Sequence, residues 1–245
     1  MKIEIFFVHI ILLLITTQEL SSQNNSCCSY DNNIIYEPAL PGELFLPGFS
    51  VDATTYFNNE WLAGDIYLSN GEIVKDKLLK YNGLLDVLLW KESKSNSIIK
   101  LDKEAVESFH FLNFKGDSTI YFRRIKIKRD IITDSTEYFG QIIYDEIISI
   151  FVIHTFNLTG TELVRINGIP YQKDIYNEVP YYCFRFANNK IFVTKSLNKQ
   201  SLYSFSPLNK NIIKDYLKED RIGKLIENSK LIRLAQFLST LENQQ

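Results

Sequence analysis

Residues 61–129 read WLAGDIYLSNGEIVKDKLLKYNGLLDVLLWKESKSNSIIKLDKEAVESFHFLNFKGDSTIYFRRIKIKR. Short apolar, β-branched and aromatic runs recur here. Turn signals separate them at Asn70-Gly71, Asn82-Gly83, Lys94-Ser95-Asn96 and Lys115-Gly116-Asp117. That pattern predicts antiparallel strands joined by tight turns. Asn70-Gly71 is the strongest of these signals, because both residues tolerate positive φ. The return strand, Glu72–Leu79, alternates less cleanly than the strand before it. Leu84–Lys91 is an apolar run without a clear period, so strand and helix both fit it. Val106–Leu112 alternates, with Val106, Ser108, His110 and Leu112 on one face and Glu107, Phe109 and Phe111 on the other. In Ser118–Arg129, Tyr121, Arg123, Ile125 and Ile127 share a face opposite Phe122, Arg124, Lys126 and Lys128. Its five basic residues in seven, RRIKIKR, read as an exposed or edge strand whose charges oppose sheet-to-sheet association. A phosphate-binding strand needs a wider basic field.

Downstream, Tyr138–Tyr144 and Glu146–Phe156 read as strands. The second is apolar on both parities, as in a strand buried on both faces. Thr159-Gly160 reads as a turn into Thr161–Ile166, and Asn167-Gly168 as a hairpin turn. Residues 169–180, with Pro170 and Pro180, read as a loop. Tyr181–Ala187 and Lys190–Thr194 form a last hairpin across Asn188-Asn189. The ending changes character. Ser206 as N-cap and Pro207 at the first helical position open one helix. Asn228 or Ser229 caps a second, with Leu231, Leu234, Ala235, Leu238 and Leu241 on one face. The expected fold class is mainly β, an antiparallel sheet, sandwich or open barrel, with a C-terminal helical pair and α+β overall.

Upstream of the strands, Lys2 precedes the apolar run IFFVHIILLLI (Ile5–Ile15) and the small, polar Thr16–Gln23. This is the layout of a secretory signal peptide, cleaved near Ser22 or Gln23. The run is too short for a spanning helix, which needs about 20 apolar residues. An uncleaved anchor is the alternative. The expected divisions are a signal peptide at 1–23, an extended linker at 24–60, a β domain at 61–195 and a helical hairpin at 206–243. The linker contains Pro38, Pro41 and Pro47, which cannot donate ladder hydrogen bonds.

Export places Cys27, Cys28 and Cys183 in an oxidising space. The candidate disulfide joins Cys28, or its neighbour Cys27, to Cys183. The competing role for Cys27 is a lipid attachment, although Asn24-Asn25-Ser26 lacks the usual aliphatic residue before it.

The chain has 245 residues, 27 basic and 29 acidic, for a formal charge of −2. It lacks the basic excess of a general nucleic-acid binder. No HExxH, GxSxG, Walker or GxGxxG motif occurs. No metal, cofactor or catalytic residue is expected. Asp65, Glu72 and Asp76 near the first hairpin read as solvated carboxylates, although a carboxylate pair also suits glycosidase chemistry. A Cys183 dyad with His110 or His154 lacks a local signature. Calcium ligation by Asp130, Asp134 and Glu137 fails the loop spacing. The suggestive surplus is aromatic, with 14 Tyr and 17 Phe. Tyr171, Tyr176, Tyr181 and Tyr182 cluster around the proline segment as a candidate contact patch.

YLSNGEIVKDKLLKYN (Tyr67–Asn82), SIIKLDKEAVESFHF (Ser97–Phe111) and LIRLAQFLSTLEN (Leu231–Asn243) resemble segments of uncharacterised exported proteins of Bacteroidetes-type bacteria. So does the leader ending in Ser-Ser-Gln. The resemblance covers roughly a third of the chain. It implies export and a β-rich body, and no activity. The expectation is therefore an exported, non-enzymatic envelope or surface protein, secreted, periplasmic or at the cell surface. Its partner would be a protein or glycan of the envelope. It would bind no nucleic acid, and would meet the membrane only through the signal segment or a lipid on Cys27. The alternative is a secreted hydrolase acting on glycans or peptides.

Overall fold

In the computed structural model the described residues are 38–46, 55–114, 118–127, 137–205, 214–216 and 228–242. The Ser206-Pro207 helix start, Cys27, Cys28, Asp130 and Asp134 lie outside them. The chain is mainly antiparallel β with short helices at its C-terminal end, as the turn pattern predicts. The strands are β1 (Gly42–Leu44), β2 (Leu62–Leu68), β3 (Ile73–Asn82), β4 (Val87–Lys91), β5 (Ile98–Leu101) and β6 (Val106–Phe114). They continue with β7 (Ser118–Lys126), β8 (Glu137–Asp145), β9 (Ser149–Ile166), β10 (Ile169–Arg185) and β11 (Ile191–Thr194). Among the described residues, α1 (Lys199–Phe205) and α2 (Asn228–Glu242) follow. The strands of the described residues form one sheet in the order β1-β5-β4-β3-β2-β6-β7-β8-β9-β10-β11.

That order bends the sheet. β5 and β6 have β4, β3 and β2 between them. In a flat sheet they would stand about 19 Å apart at 4.7–4.9 Å per strand. Yet only residues 102–105 join them, drawn into a turn by Ala105 N–H to Asp102 O at 3.1 Å and Val106 N–H to Lys103 O at 3.3 Å. The first half of the sheet must therefore curl until β5 comes round to β6. The Gly83 turn also lands on the far side of the curl. A Cβ at Gly83 would stand 2.7 Å from the Phe156 ring and 2.9 Å from the His154 carbonyl.

The curl encloses Ile66, Leu79, Tyr81, Leu88, Phe109, Phe111, Phe122 and Phe139. Phe109 stacks on Phe122 at 4.8 Å and meets Phe139 edge-on at 5.2 Å. Each such pair adds about 0.5–1.5 kcal/mol beyond burial. Two bulges fit the side chains to this interior. In β3, Gly64 faces Lys77 while Ile66 faces Val74, so β3 holds an extra residue. Asp76 there has φ +55°, and its N–H is held by the Asp65 carboxylate at 2.9 Å. The bulge switches parity from Val74 to Leu79 and Tyr81, which is why residues 72–79 do not alternate cleanly. In β6 a shift between Ser108 and Val106 brings Val106 onto the same buried side as Phe109 and Phe111. Simple alternation places it on the other face.

Where the sheet continues, α1 and α2 cover it. Leu202 of α1 and Leu231, Leu234, Ala235 and Leu238 of α2 pack on Ile148, Ile150, Phe184 and Phe186. The predicted stripe at 231–238 is thus a buried one. A third cluster, Ile125, Ile127, Tyr138, Phe151, Ile153 and Cys183, lies on the opposite face of β7–β10. Ile150, Phe151, Val152 and Ile153 are all buried, in keeping with an apolar run on both parities.

Four expectations need correction. β7 is not an edge strand, because it lies between β6 and β8. Its charges are paired instead: Arg123 with Asp145, Arg124 with Glu107 and Glu137, and Lys126 with Glu137. Thr159-Gly160 is a register shift inside β9 and not a turn, with Leu158 facing Tyr176 and Gly160 facing Ile175. Residues 169–180 are not a loop but part of β10, paired with β9 throughout. Residues 42–44, read as linker, form β1 on β5.

β9 and β10 outrun their neighbours. β8 pairs with β9 only as far as Val152, and β11 with β10 only from Tyr182. Among the described residues, 153–166 and 169–181 pair only with each other. They make a two-stranded ribbon about 45 Å long at ~3.3 Å per residue.

Candidate functional site

Three polar constellations and the ribbon are the candidates. The first closes the curl. Asn82 Oδ1 accepts the Leu85 N–H at 2.9 Å and folds residues 83–86 into a turn. The turn puts Asp86 at φ +52° and aims its carboxylate at β8. Asp86 accepts the Tyr81 hydroxyl at 2.7 Å and the Phe139 N–H at 3.2 Å, and Lys103 donates to its other oxygen. Lys103 also reaches the Glu137 carbonyl and lies over the Tyr138 ring at 5.5 Å. Burial raises the Asp86 carboxyl above its ordinary range, against the opposing pull of Lys103, the Tyr81 hydroxyl and the Phe139 N–H. Burial and the facing carboxylate push Tyr81 well up. A cleft of about 450 Å³ opens beside Lys103, walled by Gly42, Glu43, Val87, Lys100 and Asp102.

The second constellation is His154. Its Nδ1 lies 2.5 Å from Glu178 Oε1, and its Nε2 lies 2.9 Å from Gln141 Oε1. Phe57 meets the ring edge-on at 5.0 Å. The hydrogen bond from His154 holds Glu178 below the usual carboxylate range. Both ring nitrogens are occupied, so the imidazole is a cross-strand clamp over β8, β9 and β10. His110 stands elsewhere, between Tyr67 and Tyr121, with Nε2 at 3.4 Å from Asp65. The third constellation joins Arg123, Arg185 and Ser149 on Asp145, at 2.7, 3.2 and 2.6 Å. Burial works to raise Asp145, but the Ser149 hydroxyl and the two guanidiniums outweigh it and hold the carboxyl low.

Cys183 is a free, buried thiol, and Cys28, its expected partner, lies outside the described residues. Its side chain packs among Ile125, Tyr138, Phe151 and Ile153, and burial raises its pKa far above the ordinary thiol value. It faces the side of β10 opposite the His154 clamp, since Cys183 lies across from Phe151 and Pro180 across from His154. A cysteine–histidine dyad is therefore not assembled. Asp65 and Asp76 meet through the bulge and Glu72 bonds Asn70, so the three do not converge on a cleft. Among the described residues no three or more His, Cys, Asp or Glu gather to hold a metal ion.

The four tyrosines divide. Tyr182 packs with the helix-covered core and Tyr181 with the Cys183 cluster. Tyr171 and Tyr176 lie on the ribbon, across from Val164 and Leu158. Their numbering places Tyr171 and Tyr181 on one face and Tyr176 and Tyr182 on the other. The sequence reading missed the Asp86–Lys103 closure, because it treated 84–91 as one element. The Asn82-Gly83 signal was the clue that a turn came first. No family model matches the chain, and neither does any curated protein or solved structure.

Proposed function

We propose that this chain is an exported, non-enzymatic envelope or surface protein that serves as a binding or structural module. The observation that carries this reading is that three of its polar constellations are closed by protein partners, while His110, whose Nδ1 has no partner, lies buried between Tyr67 and Tyr121. Asp86, His154 and Asp145 each bind protein partners through their polar atoms, and the Cys183 thiol is buried in an apolar cluster. A catalytic site needs a group poised for a substrate. What the fold offers outward is contact surface. Leu158, Leu163 and Ile169 stand exposed on the ribbon at 57, 74 and 57%, with Tyr171 and Tyr176 beside them. The layout of residues 1–23 supports export. No helix among the described residues is long and apolar enough to cross a membrane.

The test combines mass and binding. The chain recovered from expressing cells should lack about 23 N-terminal residues and appear outside the cytoplasm. It should co-sediment with envelope material and lose that binding in a Tyr171→Ser/Tyr176→Ser variant. Retention at full mass in the cytoplasm would defeat the export reading. Turnover of glycan or peptide substrates, abolished by His154→Ala, would establish the hydrolase instead.

A further inference from the structure

We infer that the outer edge of β9 is a self-association seam, on which a second copy of this chain adds its own β9 antiparallel across a two-fold axis at Leu163. The inference goes beyond the binding role proposed above and stands whether or not the chain is exported.

An open strand edge is a hazard that folded proteins suppress with short strands, charges or proline. Three edges here are suppressed. β1 ends the sheet with three residues, and Glu43 on it is paired to Lys100. β11 ends the other side with four residues, flanked by Lys190 and Lys195. The third is the outer margin of β10. Asn167 and Gly168, at φ +53° and +83°, make the two-residue turn that closes at Ile166 and Ile169. That closing pair is hydrogen-bonded, and bonded and non-bonded pairs alternate back along the ladder. On β10 the even-numbered residues then turn their N–H and C=O outward. Pro170 and Pro180 both fall on such positions, where each removes an outward donor.

The fourth edge, β9 from 153 to 166, has no proline. The same alternation turns the N–H and C=O of Thr161, Leu163 and Arg165 outward. A two-fold axis at Leu163 engages all three. Leu163 of one copy meets Leu163 of the other, and Thr161 meets Arg165 twice. Shifting the strands by one residue in one direction sets Glu162 against Glu162. Shifting them in the other engages only Leu163 and Arg165.

Charge favours the Leu163 register as well. The edge carries one acid and one base, and Glu162 is already neutralised by Lys173 at 3.4 Å. No like charges oppose one another, since Arg165 faces Thr161 and Glu162 faces Val164. The Leu163 side chains, 74% exposed in each chain, meet at the centre on one face of the sheet. A four-stranded ribbon also cures a physical weakness, because an isolated two-stranded hairpin is only marginally stable in water. Only three residues of each copy bond across the seam, so the association should be of the weak, transient kind.

Sedimentation velocity of the full chain as recovered from cells tests this, over about 1–200 μM, the range a small interface implies. The sedimentation coefficient should climb from monomer to dimer. Leu163→Pro removes an outward donor and should weaken the association at least tenfold, with the circular-dichroism spectrum and Tm unchanged. A monomer at every concentration, or a Leu163→Pro chain that dimerises like the wild type, would overturn the inference. A second arm places single cysteines in a background with Cys27 and Cys28 changed to serine. Leu163→Cys should form a covalent dimer under mild oxidation, because its two Cα atoms lie within disulfide range across a hydrogen-bonded pair. Gln172→Cys, on the proline-guarded margin, should not. The reverse result would place the seam on β10 and refute the inference.

Discussion

The Asp86 carboxylate accepts the Phe139 N–H at 3.2 Å, although 53 residues separate the two in sequence. Between the turn that holds Asp86 and the strand that holds Phe139 lie β3, β2, β6 and β7. The bond exists because the sheet has curled, and with Lys103 it holds the curl shut. Removing the cation should therefore cost more than neutralising the carboxylate. Lys103→Met leaves a buried charge without its counter-ion and should lower stability by about 2–3 kcal/mol. Asp86→Asn keeps acceptors for Tyr81 and Phe139 and should cost about 1 kcal/mol. Urea denaturation of both variants checks the order; equal or inverted losses would deny the closure its role.

Acid stability should depend on Asp145. Against the pull of burial, its carboxyl is held below the usual carboxylate range by the Ser149 hydroxyl and the Arg123 and Arg185 guanidiniums. A group depressed in the folded state contributes stability above its unfolded pKa and loses it as pH falls through the folded value. Glu178, lowered through His154, acts in the same sense. Asp86, raised by burial, acts oppositely and loses stability as pH rises. Tm should thus fall as pH drops from about 5 toward 3. Asp145→Asn should flatten that limb while lowering Tm at neutral pH. An unaltered acid limb would show that the guanidinium contacts contribute nothing to folding.

How far the sequence disclosed this fold depends on the range of the signal. Asn70-Gly71 and Asn167-Gly168 are local and were readable, since φ at Gly71, Asn167 and Gly168 is positive in both turns. The helix stripe from Leu231 to Leu238 is equally local. Bulges were legible only as blemishes in alternation. The loss of period after Glu72 is the Asp76 bulge, but nothing local says that Asp65 will supply its acceptor. Proline misled the reading of 169–180. Pro170 and Pro180 are compatible with a strand only because their missing donors face an open edge, and openness belongs to the whole sheet. The Asp86–Lys103 closure and the His154 clamp unite residues from distant strands, so no spacing rule reveals them.

Two glycines of the sheet should respond oppositely to alanine. Gly64 faces Phe111 of β6, and a Cβ there would stand 2.0 Å from the backbone oxygen of His110. Backbone cannot yield as a side-chain tip can, so Gly64→Ala should cost at least about 3 kcal/mol, the scale of severe overpacking. At Gly160 a Cβ meets nothing within 4 Å. Gly160→Ala should be neutral or stabilising by about 0.5 kcal/mol through the unfolded chain. Thermal melts of the pair test this; a tolerated Gly64→Ala would contradict the β2–β6 register.

Cys183 should behave as a core residue and not as a reagent. Its side chain is 1% exposed, sits against Phe151 and Ile153, and stays protonated because burial disfavours the thiolate. Thiol reagents attack the thiolate, so native Cys183 should react orders of magnitude more slowly than a free cysteine. Labelling should appear only with unfolding, along the same urea curve as the circular-dichroism signal. With Cys27 and Cys28 changed to serine, the native chain should give no fast colour with a disulfide reagent. Cys183→Val should hold stability within about 1.5 kcal/mol of the parent, as volume-conserving apolar exchanges do. Cys183→Asp should lower stability far more than Cys183→Val, because desolvating a carboxylate in this cluster outweighs what the already paired Arg185 on the same face can return. Rapid native labelling would mean that the face of β10 bearing Cys183 is open to solvent, and the cluster it joins with Ile125 and Tyr138 would not be the core described.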